Sequence, residues 1–203
     1  MKRERRLEYV FMQLTLSHTY WWALAIRAAV ATIILALVMP IVGCRPARWV
    51  ELEPDNGNFA FSMPAQPVEK QTNMDLPLGH IKMFQYALIT NEITFMLNYT
   101  DYPETMTAGK SADDMLDPGL DKTLSKYPRA HKESAKILFQ GFPGRRFSIE
   151  DPDTGYTTVA KSCLVGHRIY LVQAVMPTKL SNQPEVQRFI TSLRFKRSRS
   201  QSH

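Results

Sequence analysis

Apolar and polar residues alternate along most of the chain after residue 58, which predicts a β-sheet. Phe59, Phe61 and Met63 alternate with small or polar residues before Pro64, and they predict a first short strand. The same period of two predicts strands at residues 68–74, 81–88, 93–99, 137–139, 145–149, 156–164, 168–176 and 193–196. Glycine and proline occur between several of these segments, as turns require. The pattern predicts an antiparallel sheet of about seven or eight strands.

Two segments have the spacing of helices. The first begins after Ser111, with Asp114 three residues later as a capping box, and apolar side chains recur along one face from Leu116 to Tyr127. A proline inside a helix costs about 3 kcal/mol, so we expect this helix to restart at Pro118. The second begins at Pro184. The predicted fold class is an α+β layered domain with two main helices, preceded by an N-terminal signal helix.

The N-terminal segment has the features of a secretory signal. Basic residues between Lys2 and Arg27 precede an uncharged apolar run at residues 28–42, which as a helix spans roughly 22 Å, less than a bilayer core. The run ends in Ile41, Val42, Gly43 and Cys44, which resembles the lipobox of bacterial lipoproteins. The resemblance implies cleavage after Gly43 and a lipid with two acyl chains, such as palmitate, on Cys44.

An uncleaved signal anchor is the alternative, with Arg27 then inside the membrane at a cost of about 2.5 to 3.5 kcal/mol. Initiation at Met12 would shorten the segment to a more ordinary signal length. The predicted division is a signal peptide or anchor at 1–43, a linker at 44–48, a single α+β domain at 49–196 and a basic disordered tail at 197–203. We expect a bacterial cell-envelope protein that is held at the membrane, on its extracytoplasmic side, through lipidated Cys44.

Charge is concentrated at the two ends of the chain. The formal net charge is +6, yet residues 45–193 carry 16 basic and 17 acidic side chains. A nucleic-acid-binding domain would need a basic face on the fold itself, so we expect no nucleic-acid partner. Once Cys44 is acylated, Cys163 is the only remaining thiol, and the core must form without an intrachain disulfide.

No catalytic motif is present in the sequence. His80, His131 and His167 are isolated, and no phosphate-binding loop or nucleophile elbow occurs. The aspartates between Asp113 and Asp121 are interpreted as a solvated acidic face, and the scattered methionines as core filling. We therefore predict no catalytic residues, no metal and no cofactor, although Ser, His and Asp residues can converge through folding.

Several segments resemble landmarks of bacterial extracytoplasmic proteins of unknown function that have the sheet-and-helix plan of the PsbP and Mog families. These are Trp49 and residues 57–64, 99–103, 141–145, 164–171 and 189–195. The break at Asp117, Pro118 and Gly119 departs from the smooth helix of that plan. The resemblance implies an accessory or binding role, because PsbP proteins assist a photosynthetic complex and Mog proteins bind a GTPase.

Five residues are candidates for binding a partner. Tyr99, Asp101 and Tyr102 run from a strand into a loop, and tyrosine is favoured at contact surfaces. Arg145 and Arg146 leave a turn, and one of them could hold an anion through two hydrogen bonds if it points outward. In the alternative, the tyrosines pack under the first helix and the arginines are ordinary surface charges.

The predicted function is a membrane-anchored binding or accessory module for an envelope component, with an unidentified envelope protein as its partner. An envelope enzyme whose site does not show as a motif and a purely structural tether are the alternatives. An enzyme would show a deep polar pocket with convergent titratable groups, whereas a binding module would show an exposed apolar or aromatic surface.

Overall fold

The computed structural model describes residues 49–55, 58–76 and 79–196. The described residues exclude the predicted signal peptide at 1–43, the whole linker at 44–48 with the lipidation site Cys44, and the tail at 197–203. The strands are β1 (Val50–Leu52), β2 (Phe59–Met63), β3 (Val68–Leu76), β4 (Gly79–Ile89), β5 (Thr94–Asp101), β6 (His131–Phe139), β7 (Phe142–Asp151), β8 (Tyr156–Val165), β9 (Arg168–Pro177) and β10 (Arg194–Phe195). The helices are α1 (Glu104–Thr107), α2 (Ala112–Ser125) and α3 (Pro184–Ile190), with a 3₁₀ turn at Thr178–Leu180.

The strands form two sheets. The larger has seven strands in the order β3-β4-β5-β9-β8-β7-β6, and the smaller has three in the order β1-β2-β10. Every pairing in both sheets is antiparallel. The α+β fold class predicted from the alternation is therefore confirmed.

One face of the large sheet carries an aromatic core. Alternate residues of β4, β5 and β9 point toward the small sheet and α3, and they include Phe84, Tyr99 and Tyr170. Tyr99 is fully buried; its ring stacks on Phe84 at 4.6 Å between centroids and meets the edge of Phe59 at 5.2 Å. Edge-to-face and offset-stacked pairs of this kind add stability beyond their buried area.

Helix α2 lies on the opposite face, over β7 and β8. Leu116 of α2 is buried, and Leu120 and Leu124 of the same apolar stripe pack against Phe147 and Ile149 of β7. The spacing of four residues places these leucines on one side of the helix. The capping box predicted at Ser111 is present, with the backbone N–H of Asp114 donating to Ser111 Oγ at 3.2 Å.

The expected restart of the helix at Pro118 is wrong, because α2 runs unbroken through it. Proline removes only the backbone hydrogen bond to the Asp114 carbonyl. The turn before Pro118 is held from outside the helix, because Arg145 bonds to both Asp113 and Asp117.

Strands β6 and β7 are longer than predicted. β6 begins at His131 instead of residue 137, and β7 includes Phe142, Pro143 and Gly144, which the sequence suggested as a turn. Gly144 pairs with Cys163, and a Cβ at Gly144 would lie 2.5 Å from the Ser162 carbonyl oxygen. Glycine is therefore needed there for a close approach of two strands. Among the described residues, no helix has both the length and the apolar character to cross a bilayer.

Candidate functional site: a groove beside helix α2

A half-open groove of about 360 Å³ lies between α2, α1 and strands β7 to β9, and we call it the α2 groove. Helix α2 contributes Met115, Leu116 and Leu120, and α1 contributes Met106. The strands supply Phe147, Ile169 and Leu171 as an apolar floor.

The groove exists because α2 covers only part of its sheet face. Its apolar stripe packs over β7 and β8, while Ile169 and Leu171 of the next strand, β9, stay half-buried. Since side chains alternate between faces along a strand, both residues point to the α2 side. The uncovered edge of α2 and the apolar residues of β9 therefore make the two walls.

A few polar groups line the groove. Ser162 of β8 and the half-buried Tyr102 each bring a hydroxyl group, and burial raises the pKa of Tyr102. The backbone N–H of Tyr102 donates to the His167 carbonyl at 3.0 Å, which fixes the loop after β5 against the β8–β9 hairpin. The Thr123 hydroxyl donates to the Gly119 carbonyl at 2.8 Å within the helix.

Two opposite charges, Lys110 and Asp114, lie at the exposed rim. The Asp114 carboxylate accepts hydrogen bonds from the Ser111 hydroxyl at 2.7 Å and the Ser111 backbone N–H at 2.9 Å. These bonds hold the pKa of Asp114 below its usual range, so the carboxylate is ionised at neutral pH. The rim therefore carries one positive and one negative charge.

Arg145 fixes α2 to the sheet. Its side chain is 4% exposed; Nε donates to Asp117 Oδ1 at 2.6 Å, Nη1 donates to the Gly144 carbonyl at 2.9 Å, and Nη2 donates to Asp113. Lys136 Nζ also donates to Asp113, at 2.6 Å. The hydrogen bonds from Lys136 and then Arg145 lower the pKa of Asp113.

Of the five candidate binding residues, the structure places only Tyr102 in the groove. Tyr99 is fully buried in the aromatic core, and Arg145 is buried under α2, so neither has surface to offer a partner. Asp101 is bound to Arg168, whose Nη2 donates to Asp101 Oδ2 at 3.0 Å. Arg146 is exposed on the opposite face of β7. Adjacent strand residues point to opposite faces, so Arg146 is the one of the two arginines that points outward.

Sequence reasoning missed the groove residues Met106, Met115, Ser162, Ile169 and Leu171. Nothing in the alternation of β9 says which of its two faces the helix leaves uncovered. Among the described residues, no group of three or more His, Cys, Asp or Glu side chains could hold a metal ion.

No family model matches the chain, and no curated protein matches it. The chain is similar to the solution structure of cyanobacterial PsbP (CyanoP) from Synechocystis sp. PCC 6803, with a TM-score of 0.49 and 11% identity over 75% of this chain and 95% of that chain. It is also similar to the crystal structure of PA94 from Pseudomonas aeruginosa, a protein of unknown function, with a TM-score of 0.34 and 8% identity over 65% of this chain and 85% of that one.

Proposed function

We propose that the protein is a membrane-anchored, extracytoplasmic binding module that supports a component of the bacterial cell envelope. The α2 groove carries this proposal, because its walls are mainly apolar and it opens to the surface. The titratable side chains that line it are Tyr102, Lys110 and Asp114, and Asp114 is already engaged in capping α2. A site of this kind suits binding better than acid–base chemistry.

The lipobox-like sequence at Cys44 supports the proposed anchor. Lipidation of Cys44 would attach the chain five residues before Trp49, where the described domain begins. An extended chain spans at most about 3.6 Å per residue, so the domain would begin within about 18 Å of the lipid. Trp49 is itself held to the domain, since the Arg188 guanidinium lies 4.1 Å from the centroid of its ring. The module would therefore act on partners close to the bilayer surface.

Site-directed photo-cross-linking in intact membranes tests this function. We would place p-benzoylphenylalanine at Met106, which is half-buried in the groove, and at Tyr156, which is 48% exposed at the start of β8. Tyr156 is the matched control, because it is an aromatic residue remote from the groove lining. We expect the full chain to remain in the membrane fraction and position 106 alone to give a discrete adduct with an envelope component. Equal or absent adducts at both positions would contradict a binding role for the groove.

A further inference from the structure

We propose that the α2 groove binds one uncharged, largely apolar molecule of about a dozen non-hydrogen atoms that carries a single hydrogen-bonding group, such as a medium-chain alcohol. This ligand class rests on the proposed binding function and specifies the chemistry of the same site. It follows from the groove's volume, its walls and its balance of charge.

The volume sets the size of the ligand. The half-open groove has a volume of about 360 Å³, and a water-sized group takes roughly 30 Å³, so about twelve such groups fill it. A single side chain of a partner protein would leave much of this volume empty. The size lies at the lower end of the range for small-molecule pockets, about 300 to 1,000 Å³.

The walls set its polarity. Phe147, Ile169 and Leu171 form the floor, and the thioethers of Met106 and Met115 lie at the sides. Methionine is unbranched and polarisable, so it adapts to ligands of irregular shape. An apolar chain would cover the exposed parts of Ile169, Leu171 and the two methionines and so remove apolar surface from water.

Two hydroxyl groups could orient the ligand. Ser162 and Tyr102 line the groove, and the hydroxyl group of neither residue forms a hydrogen bond with another of the described residues. Each can donate to or accept from one hydroxyl or carbonyl group of a ligand. One polar end is therefore recognised, while the rest of the ligand lies on apolar surface.

The rim selects against a charged ligand. Lys110 and Asp114 carry opposite charges at the rim. An anionic head group beside Lys110 would be repelled by the Asp114 carboxylate, and a cationic head group beside Asp114 would be repelled by Lys110. A charged group entering the apolar interior would lose its hydration without gaining a partner. An uncharged polar end avoids both costs.

Photoaffinity labelling of the full chain in proteoliposomes tests the ligand class. The probe is decanol bearing an alkyl diazirine, and adducts are mapped by mass spectrometry of peptides. We expect adducts on the α2 and β9 peptides, displaced by 1-decanol at concentrations at least tenfold lower than those needed with decanoate or decyltrimethylammonium. Labelling spread evenly over the domain, or displacement by either charged amphiphile at the same concentration as 1-decanol, would overturn the proposal.

Variants at Gly119 give a matched pair. A Cβ at Gly119 meets no atom within 4 Å, so Gly119→Ala is compatible with the folded helix, and the Cβ of Gly119→Phe starts from the same open space. The phenyl ring should occupy the groove and reduce groove labelling at least fivefold, whereas the methyl group should leave it unchanged. Unreduced labelling in Gly119→Phe contradicts the site, and thermal melting of each variant checks folding. Leu120→Trp is a second blocking variant, with the same expected loss.

Ser162→Val tests the hydroxyl. Losing one hydrogen bond costs about 1 kcal/mol, so 1-decanol should displace the probe about fivefold less well. Thr158→Val is the control, because Thr158 lies on the same face of β8 outside the groove lining. Equal effects of the two variants would overturn the assigned role of Ser162. If position 106 cross-links to an envelope component but decanol does not bind, the binding function stands and the ligand class falls.

Discussion

Replacing Arg145 by methionine should loosen α2 and destabilise the domain more than any nearby surface substitution. Methionine keeps the apolar stem but removes all three donors that hold Asp113, Asp117 and the Gly144 carbonyl. The side chain of Arg145 is 4% exposed, so no water replaces the guanidinium without rearrangement of the helix. Loss of this side chain should therefore affect both stability and the shape of the groove beside α2.

The structure sets the size of the effect. A hydrogen bond to a charged group contributes about 1.5 to 3 kcal/mol, and breaking a fully buried ion pair costs about 3 to 5 kcal/mol. The side chains of Asp113 and Asp117 are 52% and 37% exposed, so water can solvate both carboxylates after the substitution. We therefore expect a loss of about 2 to 3 kcal/mol, equivalent to a fall in Tm of roughly 5 to 10 °C.

Urea unfolding of residues 45–203 at pH 7 measures this loss, and we expect a single cooperative transition that reductant leaves unchanged. Arg146→Met is the control, because Arg146 is the next residue of β7, has the same charge and is exposed on the opposite face. It should change stability by no more than about 0.5 kcal/mol. Equal losses for the two arginines would refute the role of Arg145 as the clamp of α2.

The same clamp predicts a pH dependence with a definite sign. The pKa of Asp113 is lowered in the folded state, by Lys136 first and then by Arg145. A lowered pKa contributes stability above the unfolded value, near 3.9, and that contribution is lost as pH falls through the folded pKa. The stability of the native sequence should therefore fall below about pH 4, and Arg145→Met should fall less steeply there. An unchanged slope in the variant would contradict this assignment.

Three further predictions concern other parts of the chain. Gly144→Ala should lower the free energy of unfolding by about 1 to 3 kcal/mol, because its Cβ would lie 2.5 Å from the Ser162 carbonyl oxygen. Gly119→Ala meets no atom within 4 Å and should raise the free energy of unfolding by about 0.4 to 1 kcal/mol. Similar urea midpoints for the two variants would contradict this difference. Burial raises the pKa of Cys163 to about 12, so iodoacetamide at pH 8 should modify this thiol in residues 45–203 only after unfolding. Equally fast modification in buffer and in urea would contradict this prediction. Cys44→Ser should abolish fatty-acid labelling of the full chain and leave residues 1–43 attached, whereas continued labelling would place the lipid elsewhere.

The parts of the fold that sequence reasoning predicted correctly have local causes. The β8–β9 hairpin, predicted at residues 156–164 and 168–176, occurs at Tyr156–Val165 and Arg168–Pro177, because alternation and a glycine turn act over a few residues. Helix α3 begins at Pro184 as expected, since proline suits the first turn of a helix. The capping box at Ser111 likewise depends on residues three positions apart.

The errors have non-local causes. Strand β6 begins six residues earlier than predicted. It lies at the edge of the sheet, where its polar residues pair with β7. Helix α2 continues through Pro118 because Arg145 of β7 donates a hydrogen bond to Asp117. The two residues are 28 positions apart in the sequence. No pattern within α2 contains that arginine.

The sequence alone determined the fold class, the capped start of α2 and the aromatic alternation that makes one face of the large sheet apolar. These depend on the period of two in strands and on cap chemistry, which are properties of neighbouring residues. Only the tertiary structure decided that Arg145 faces α2 while Arg146 faces away, and that Ile169 and Leu171 stay half-buried beside the helix. The physical reason is that a groove is the surface a packed helix leaves uncovered, and its position depends on where the helix rests on the sheet.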